Sequence, residues 1–339
     1  EKNLVLRESV LDHVSTLADE AGSFRSQGLL LQMSMQVERI VSAAAAFHRA
    51  GETDLARSIH DRAWDTLPEE PALQTLHAHL EGSAPKAVCK ICGRQADFFG
   101  CADMGKTCGS EEDQFMPRAC TYLAYHQCPF CGFLFTPDLD GWTPEMFENR
   151  IYNDDYLKVD GDFLEVRPRQ AAGSLASRLG SWGSRLEILD YGGGRGALEA
   201  ELRKRGYASV ATYDPFFHAR KDFPDHASDL ILSIEVFEHV PSPHHLMSDL
   251  LSLLRRDGLI FFTTLLQPDN LAEQGISWWY LAPRNGHISL FSRDSLNLLA
   301  SRHNLRLFSI NASTHVLFPM DGPILRHVLT EEEYREAVP

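Results

Sequence analysis

Leu186-Glu-Ile-Leu-Asp190-Tyr-Gly192-Gly-Gly194-Arg-Gly196-Ala-Leu198 decides the fold. An apolar strand runs into a glycine-rich turn, and a helix of good formers, Ala197 to Lys204, follows. Such a turn needs unusual backbone angles and lets a ligand approach the main chain closely. Farther along, Val210-Ala-Thr-Tyr-Asp214 sets an acid at the end of a second strand, where a carboxylate can accept both hydrogen bonds of a ribose diol. Gly192, Gly194 and Ala197 also fit the spacing of a dinucleotide fingerprint, so the glycines alone do not choose the ligand.

Two features choose. Asp190 stands at the strand end where dinucleotide sites carry an apolar residue; an acid there reaches the amino group of a methionine moiety, directly or through water. Asp229-Leu-Ile-Leu-Ser-Ile-Glu235-Val-Phe-Glu238-His239-Val240-Pro241 then reads as a further strand emerging into a crevice. Residues ~141 to 339 alternate short apolar runs with helical patterns, which predicts a parallel α/β sheet. Together with Gly286-His287-Ile-Ser-Leu-Phe-Ser292, these motifs resemble class I S-adenosylmethionine-dependent methyltransferases from about Tyr152 to Phe318. The predicted fold is α/β, a Rossmann-like domain preceded by a helical segment and a small zinc-binding module. That order is similar to sugar C-methyltransferases and related small-molecule methyltransferases.

The resemblance implies that Asp190, Gly192, Gly194 and Gly196 cradle the methionine part of S-adenosylmethionine and that Asp214 holds its ribose. Ser233 and Glu235 would line the cofactor, with Tyr152 and Tyr156 closing over it. Only 15 residues separate Asp214 from Asp229, so the usual third strand is shortened or absent; Asp222 and Phe223 are the nearby adenine-contact candidates. The chain also ends where sugar C-methyltransferases continue.

All seven cysteines lie between Cys89 and Cys131. A secreted disulfide scaffold spreads its cysteines in even number, so clustering points to metal in a reducing compartment. Cys89-Lys-Ile-Cys92-Gly93 and Cys128-Pro-Phe-Cys131-Gly132 form matching knuckles. Two residues between cysteines let a tight turn aim both sulfurs at one ion, and four thiolates suit structural, tetrahedral Zn²⁺ with no position left for substrate. The 35 residues between the knuckles imply a long insertion such as a hairpin. Cys101, Cys108 and Cys120 remain as alternative ligands.

Residues 1 to ~84 read as helical, and Ala44, Phe47, Gly51, Asp54, Ala56, Ala63 and Pro68 sit at the offsets of one tetratricopeptide unit. A helical pair packed on the chain is one reading, a partner-binding array the other. The expected boundaries are 1–84, 85–140 and 141–339. A chain beginning at Glu1 rather than Met implies upstream sequence. With 32 Lys and Arg against 47 Asp and Glu, the net charge of −15 disfavours a nucleic-acid partner. No apolar run reaches the ~20 residues of a membrane span and no signal peptide is visible, so the expected location is cytoplasmic.

Methyl transfer is an in-line displacement needing positioning and, where the accepting atom carries a proton, a base. His239 and His287 are the candidate bases. Ser277-Trp278-Trp279-Tyr280-Leu-Ala-Pro283-Arg284-Asn285 reads as a substrate lid, with Trp278 and Trp279 to stack on a sugar or base and Arg284 to meet a phosphate or carboxylate. The expected reaction is methylation of a small-molecule acceptor, a nucleotide-linked sugar or polysaccharide precursor. A nicotinamide-dependent oxidoreductase, a zinc-containing RNA methyltransferase and a noncatalytic scaffold are the rivals.

Overall fold

The computed structural model describes residues 2–26, 30–108, 121–163, 165–215, 224–319 and 324–338. Four helices open the chain: α1 (Lys2–Ser26), α2 (Leu30–Arg49), α3 (Thr53–Trp64) and α4 (Pro71–Leu80). Met33, Val37, Ile40, Val41, Ala44 and Ala45 recur at helical spacing along α2, and all are buried. Each large side chain among them contributes about 1.5–3 kcal/mol of burial. Ala44, Ala56 and Ala63 are fully buried; lacking bulk, they let α2 and α3 pack closely across a turn at Gly51, whose φ of 85° suits glycine. Pro71 starts α4, where its missing N–H costs nothing.

Four strands follow, β1 (Ala87–Val88), β2 (Gln95–Asp103), β3 (Tyr122–Gln127) and β4 (Leu134–Phe135), paired antiparallel in that order. The next stretch carries α5 (Pro144–Arg150), α6 (Tyr156–Val159), α7 (Val166–Leu179), β5 (Ile188–Tyr191), α8 (Ala197–Lys204), β6 (Val210–Tyr213), β7 (Ser228–Ile234), α9 (Pro243–Ser252) and β8 (Leu254–Thr263). Then come α10 (Leu271–Gln274) and β9 (Ser289–Leu290), and finally α11 (Arg293–Arg302), β10 (Arg306–Ser309), β11 (Thr314–Phe318), α12 (Leu325–Val328) and α13 (Glu331–Ala337).

The chain divides into two compact units: Glu1–Gly141 with Gln267–Leu290, and Trp142–Leu266 with Phe291–Pro339. The sequence boundaries of 1–84, 85–140 and 141–339 differ from this division in two respects. Phe98, Cys101 and Ala124 of the strands share one core with the helices. Residues 267–290 leave the α/β domain for the first unit. There β9 adds a fifth strand to the sheet, pairing Leu134 with Leu290 and Phe135 with Ser289, and the buried Lys106 ammonium donates to the carbonyls of Ile276 and Trp278.

The same packing revises the lid reading. Trp278, Tyr280, Arg284 and Asn285 are buried, the Arg284 amide donates to the Lys106 carbonyl, and Asn285 Oδ1 accepts from the Cys108 amide. Trp278 is a fully buried core side chain and its carbonyl, with that of Ile276, satisfies a buried ammonium, whereas Trp279 beside it is half exposed.

The second unit holds a six-stranded sheet in the order β10-β11-β8-β7-β5-β6. Strands β6, β5, β7 and β8 run parallel, and β11 is antiparallel to both β8 and β10. This is the expected α/β, Rossmann-like fold behind a helical segment. Ile188, Leu230, Leu232, Phe261 and Val316 bury one face of the sheet with Ala172, Leu175, Leu198 and Leu202 of α7 and α8. Leu189, Ile231, Ile260 and Phe262 on the opposite face are also buried, giving the apolar runs typical of a parallel sheet. Among the described residues no strand lies between β6 and β7. After β5 the chain lays β6 on one side and β7 on the other, so strand order reverses at β5; in open α/β sheets the ligand crevice lies beyond the carboxyl ends of the strands at such a point.

Candidate functional site

The carboxyl ends of β5, β6 and β7 carry the motif residues of the second unit. The loop after β5 is held open by its glycines: Gly192, Gly194 and Gly196 have φ of 77°, 54° and 81°, a region that L side chains rarely enter. Hydrogen bonds fix the loop from Gly192 N–H to Tyr213 O (2.8 Å) and from Gly196 N–H to Gly193 O (2.9 Å). Two glycines are also demanded by space. A Cβ at Gly193 would stand 2.0 Å from Asp190 Oδ2, and one at Gly192 would stand 2.6 Å from Val236 Cγ2. A Cβ at Gly194 would meet nothing within 4 Å, so that part of the loop faces open space.

Two carboxylates flank the loop. Asp190 is buried, its Oδ2 3.5 Å from the Thr212 hydroxyl. Asp214 follows β6, and its Oδ2 accepts from the Gly194 amide at 2.8 Å. Open room at Gly194, with an acid on each side of the loop, suits a ligand presenting an ammonium and a diol. The loop and the two acids therefore fit the amino-acid and ribose parts of S-adenosylmethionine. Open surface depressions lie at the amino ends of the strands, one lined by Glu187, Ile188, Arg203, Val210, His226 and Ser228.

Glu235 follows β7 with a φ of 55°, a left-handed backbone in a residue with a long side chain. Thr263 on the neighbouring β8 locks it twice: its hydroxyl accepts from the Glu235 amide (2.9 Å) and donates to Glu235 Oε1 (2.7 Å). Burial, reinforced by the Glu238 carboxylate, pushes the Glu235 carboxyl up to about 7, against the pull of Thr263, Arg167 and His239. Arg167 is itself paired with Asp160 at 2.6 Å. Ser233, two residues earlier, is fully buried, and its hydroxyl has no hydrogen-bond partner among the described residues.

The turn after Glu235 is anchored by Phe237, which stacks on Phe262 (centroids 4.1 Å apart) and meets Phe291 edge-on. That anchor sets Glu238, buried, beside His239, whose Nε2 lies 3.9 Å from Glu238 Oε1 and whose side chain is 15% exposed. The Tyr152 ring sits 5.3 Å from Tyr156 and 6.1 Å from His239. Burial, with Asp214 and Glu238 nearby, raises the Tyr152 phenol above its ordinary range. Tyr152, Tyr156, His239, Glu235 and Asp214 thus gather at the sheet's crevice edge. The sequence singled out all five; Arg167 and Thr263 carried no local signal.

His287 belongs to the first unit. Its Nδ1 lies 2.7 Å from the Tyr280 carbonyl and 3.5 Å from Cys108 Sγ. A carbonyl can only accept, so Nδ1 carries a proton. Tyr125 donates its hydroxyl to the His287 carbonyl at 2.8 Å, fixing the backbone as well.

The knuckles are two copies of one turn in the first unit. Cys89 N–H bonds to Arg94 O and Gly93 N–H to Cys89 O; Cys128 N–H bonds to Phe133 O and Gly132 N–H to Cys128 O. Gly93 and Gly132 take φ of 77° and 73°. The turns join β1 to β2 and β3 to β4, and the intervening insertion contains the antiparallel β2–β3 pair, in line with the hairpin expectation. All four sulfurs lie within 4.8 Å of one another, with Cys89–Cys131 at 3.6 Å and Cys92–Cys128 at 3.4 Å. Thiolates at 2.3 Å from a tetrahedral ion stand about 3.8 Å apart, so the cluster is compatible with zinc. Cys101 is buried in the helical core and Cys108 lies beside His287; the four-sulfur cluster includes neither. Cys120, Asp222 and Phe223 fall outside the described residues.

Residues 163–310 match the model of a family described as a methyltransferase domain. No curated protein matches the chain. Solved structures with which it aligns include an O-methyltransferase family protein from Burkholderia thailandensis, at 14% identity and a TM-score of 0.37, covering 51% of this chain and 62% of that one. The plantazolicin methyltransferase BpumL with S-adenosylhomocysteine aligns at 16% identity and 0.39, covering 54% and 96%. A 1,6-didemethyltoxoflavin-N1-methyltransferase from Burkholderia thailandensis, with bound 1,6-didemethyltoxoflavin and S-adenosylhomocysteine, aligns at 14% identity and a TM-score of 0.37, covering 58% and 93%. The chain spans less than two thirds of the first of these. Among the described residues no helix is long and apolar enough to cross a membrane.

Proposed function

We propose that the second unit binds S-adenosylmethionine and that the protein methylates a small-molecule acceptor. The observation that carries this reading is the loop after β5, left-handed at three glycines and open at Gly194, with Asp190 and Asp214 on either side. The family match over 163–310 supports it. Asp190, Gly192, Gly194 and Gly196 would hold the amino-acid part, Asp214 the ribose, with Ser233 and Glu235 along β7 and Tyr152 and Tyr156 as a cover. When bound, this cofactor supplies an electrophilic methyl group on a positively charged sulfur.

The protein's own residues orient the acceptor, exclude water and move a proton. His239 is the base candidate within the second unit, beside Glu238. His287 is the other, its Nδ1 proton held by the Tyr280 carbonyl. The four cysteines would hold structural zinc, which staples a small, loop-rich sheet. A nucleotide-linked sugar is the acceptor class suggested by the order of a zinc module before such a domain. The test is transfer of a labelled methyl group from S-adenosylmethionine to nucleotide sugars, comparing wild type with His239→Ala and His287→Ala. Label in a sugar product, reduced at least 100-fold by one substitution, supports the reading. Incorporation unchanged by both removes the histidines as bases, and none at all removes the acceptor class.

A further inference from the structure

Glu235 is placed unlike the other acids of the crevice. It follows β7 beside the point where strand order reverses, and its backbone is left-handed at φ 55°. Strain of this kind persists only where the surroundings over-determine it. The surroundings are specific. Thr263 on β8 grips both its amide and its carboxyl oxygen. Glu238 and His239 act on its charge from the turn that follows, and Arg167 from α7, ion-paired in turn with Asp160. Burial first, and one carboxylate with it, oppose its ionisation; one hydroxyl, one guanidinium and one imidazole favour it. A group so balanced changes charge when a single new charge arrives nearby.

We infer that Glu235 is a proton-handling group of the second unit, beside the base candidate His239, ionising when a cationic sulfonium ligand binds and staying partly protonated beside the neutral thioether product. This rests on the cofactor reading above. The ionised carboxylate is then the acceptor for the proton leaving the methylated atom. The X–H bond breaks and its proton neutralises Glu235, while its electron pair forms the bond to the methyl carbon. The sulfur keeps the pair of the bond that is cleaved, so charge balances without a further reactant. Specificity follows from the same chemistry: the site suits hydroxyl or amine acceptors that must lose a proton on methylation.

The test needs no acceptor. Calorimetric titrations at pH 7 in buffers of low and high ionisation enthalpy count the protons released on binding. A carboxyl poised near 7 is about half protonated there. S-adenosylmethionine should therefore release about half a proton per chain and S-adenosylhomocysteine almost none, and Glu235→Gln should release none with either. Thr263→Val, which deletes one hydrogen bond to the carboxylate, should move the pH of half-maximal release upward by roughly one unit and covers the case in which Glu235→Gln fails to fold. Equal release with the two ligands, or release that survives Glu235→Gln, overturns the inference while leaving the cofactor reading standing. If neither ligand binds, the cofactor reading falls and takes this inference with it.

Discussion

Replacing Glu235 with Gln tests the electrostatics of the crevice in the folding equilibrium itself. The Glu235 carboxyl is raised from 4.5 to about 7 in the native state. The native protein then binds more protons than the unfolded chain between those values, and stability falls as pH rises through that window, levelling off above 7. A shift of about 2.5 units is worth about 3 kcal/mol, of which about 2 kcal/mol is lost between pH 5 and pH 8. Glutamine keeps the shape and the Thr263 contact but carries no proton to lose. The left-handed backbone strain is common to both proteins and cancels. Urea denaturation, with hydrogen exchange of the Leu230–Ser233 amides to report on β7, should show Glu235→Gln gaining about 2 kcal/mol on wild type as pH goes from 5 to 8. A difference that stays constant with pH, or one that grows toward acid, refutes the burial argument.

Three further outcomes follow from the geometry. Gly193→Ala should weaken S-adenosylhomocysteine binding at least tenfold while far-ultraviolet circular dichroism stays native, because the new methyl would stand 2.0 Å from Asp190 Oδ2 and displace that carboxylate. Cys89→Ser or Cys128→Ser should abolish stoichiometric zinc, measured by elemental analysis, and lower the thermal midpoint of the purified protein. Lys106→Met should cost about 3 kcal/mol by stranding the Ile276 and Trp278 carbonyls, read as faster proteolysis within residues 267–290.

Local patterning revealed the elements whose partners lie close by in the chain. The strand, glycine turn and helix from Leu186 to Lys204 are adjacent, and their residue types allow little else. The knuckles were legible because Cys89 and Cys92, and again Cys128 and Cys131, are separated by two residues just ahead of a glycine, one short turn used twice. Residues 267–290 pack with the first unit, which local patterning does not announce, because what holds them is remote: Lys106 reaches Ile276 and Trp278, and a two-residue strand, β9, pairs with β4. Trp278 looked like a binding aromatic for the same reason, since nothing beside it in sequence announces that its carbonyl caps a buried ammonium. Glu235 was read as lining the cofactor, but its left-handed backbone and its clasp by Thr263 arise from strand pairing across the sheet. Arg167 was invisible, because its value lies in acting on the charge of Glu235 from a helix near the start of the second unit.

Calorimetric titration with S-adenosylhomocysteine tests the central claim most directly. Wild type should bind one equivalent, Asp190→Ala and Asp214→Ala should each lose at least tenfold in affinity, about 1.4 kcal/mol, and NAD should give no heat of binding. Absence of binding, equal affinity in all three proteins, or preferential binding of NAD would contradict the assignment of the loop after β5.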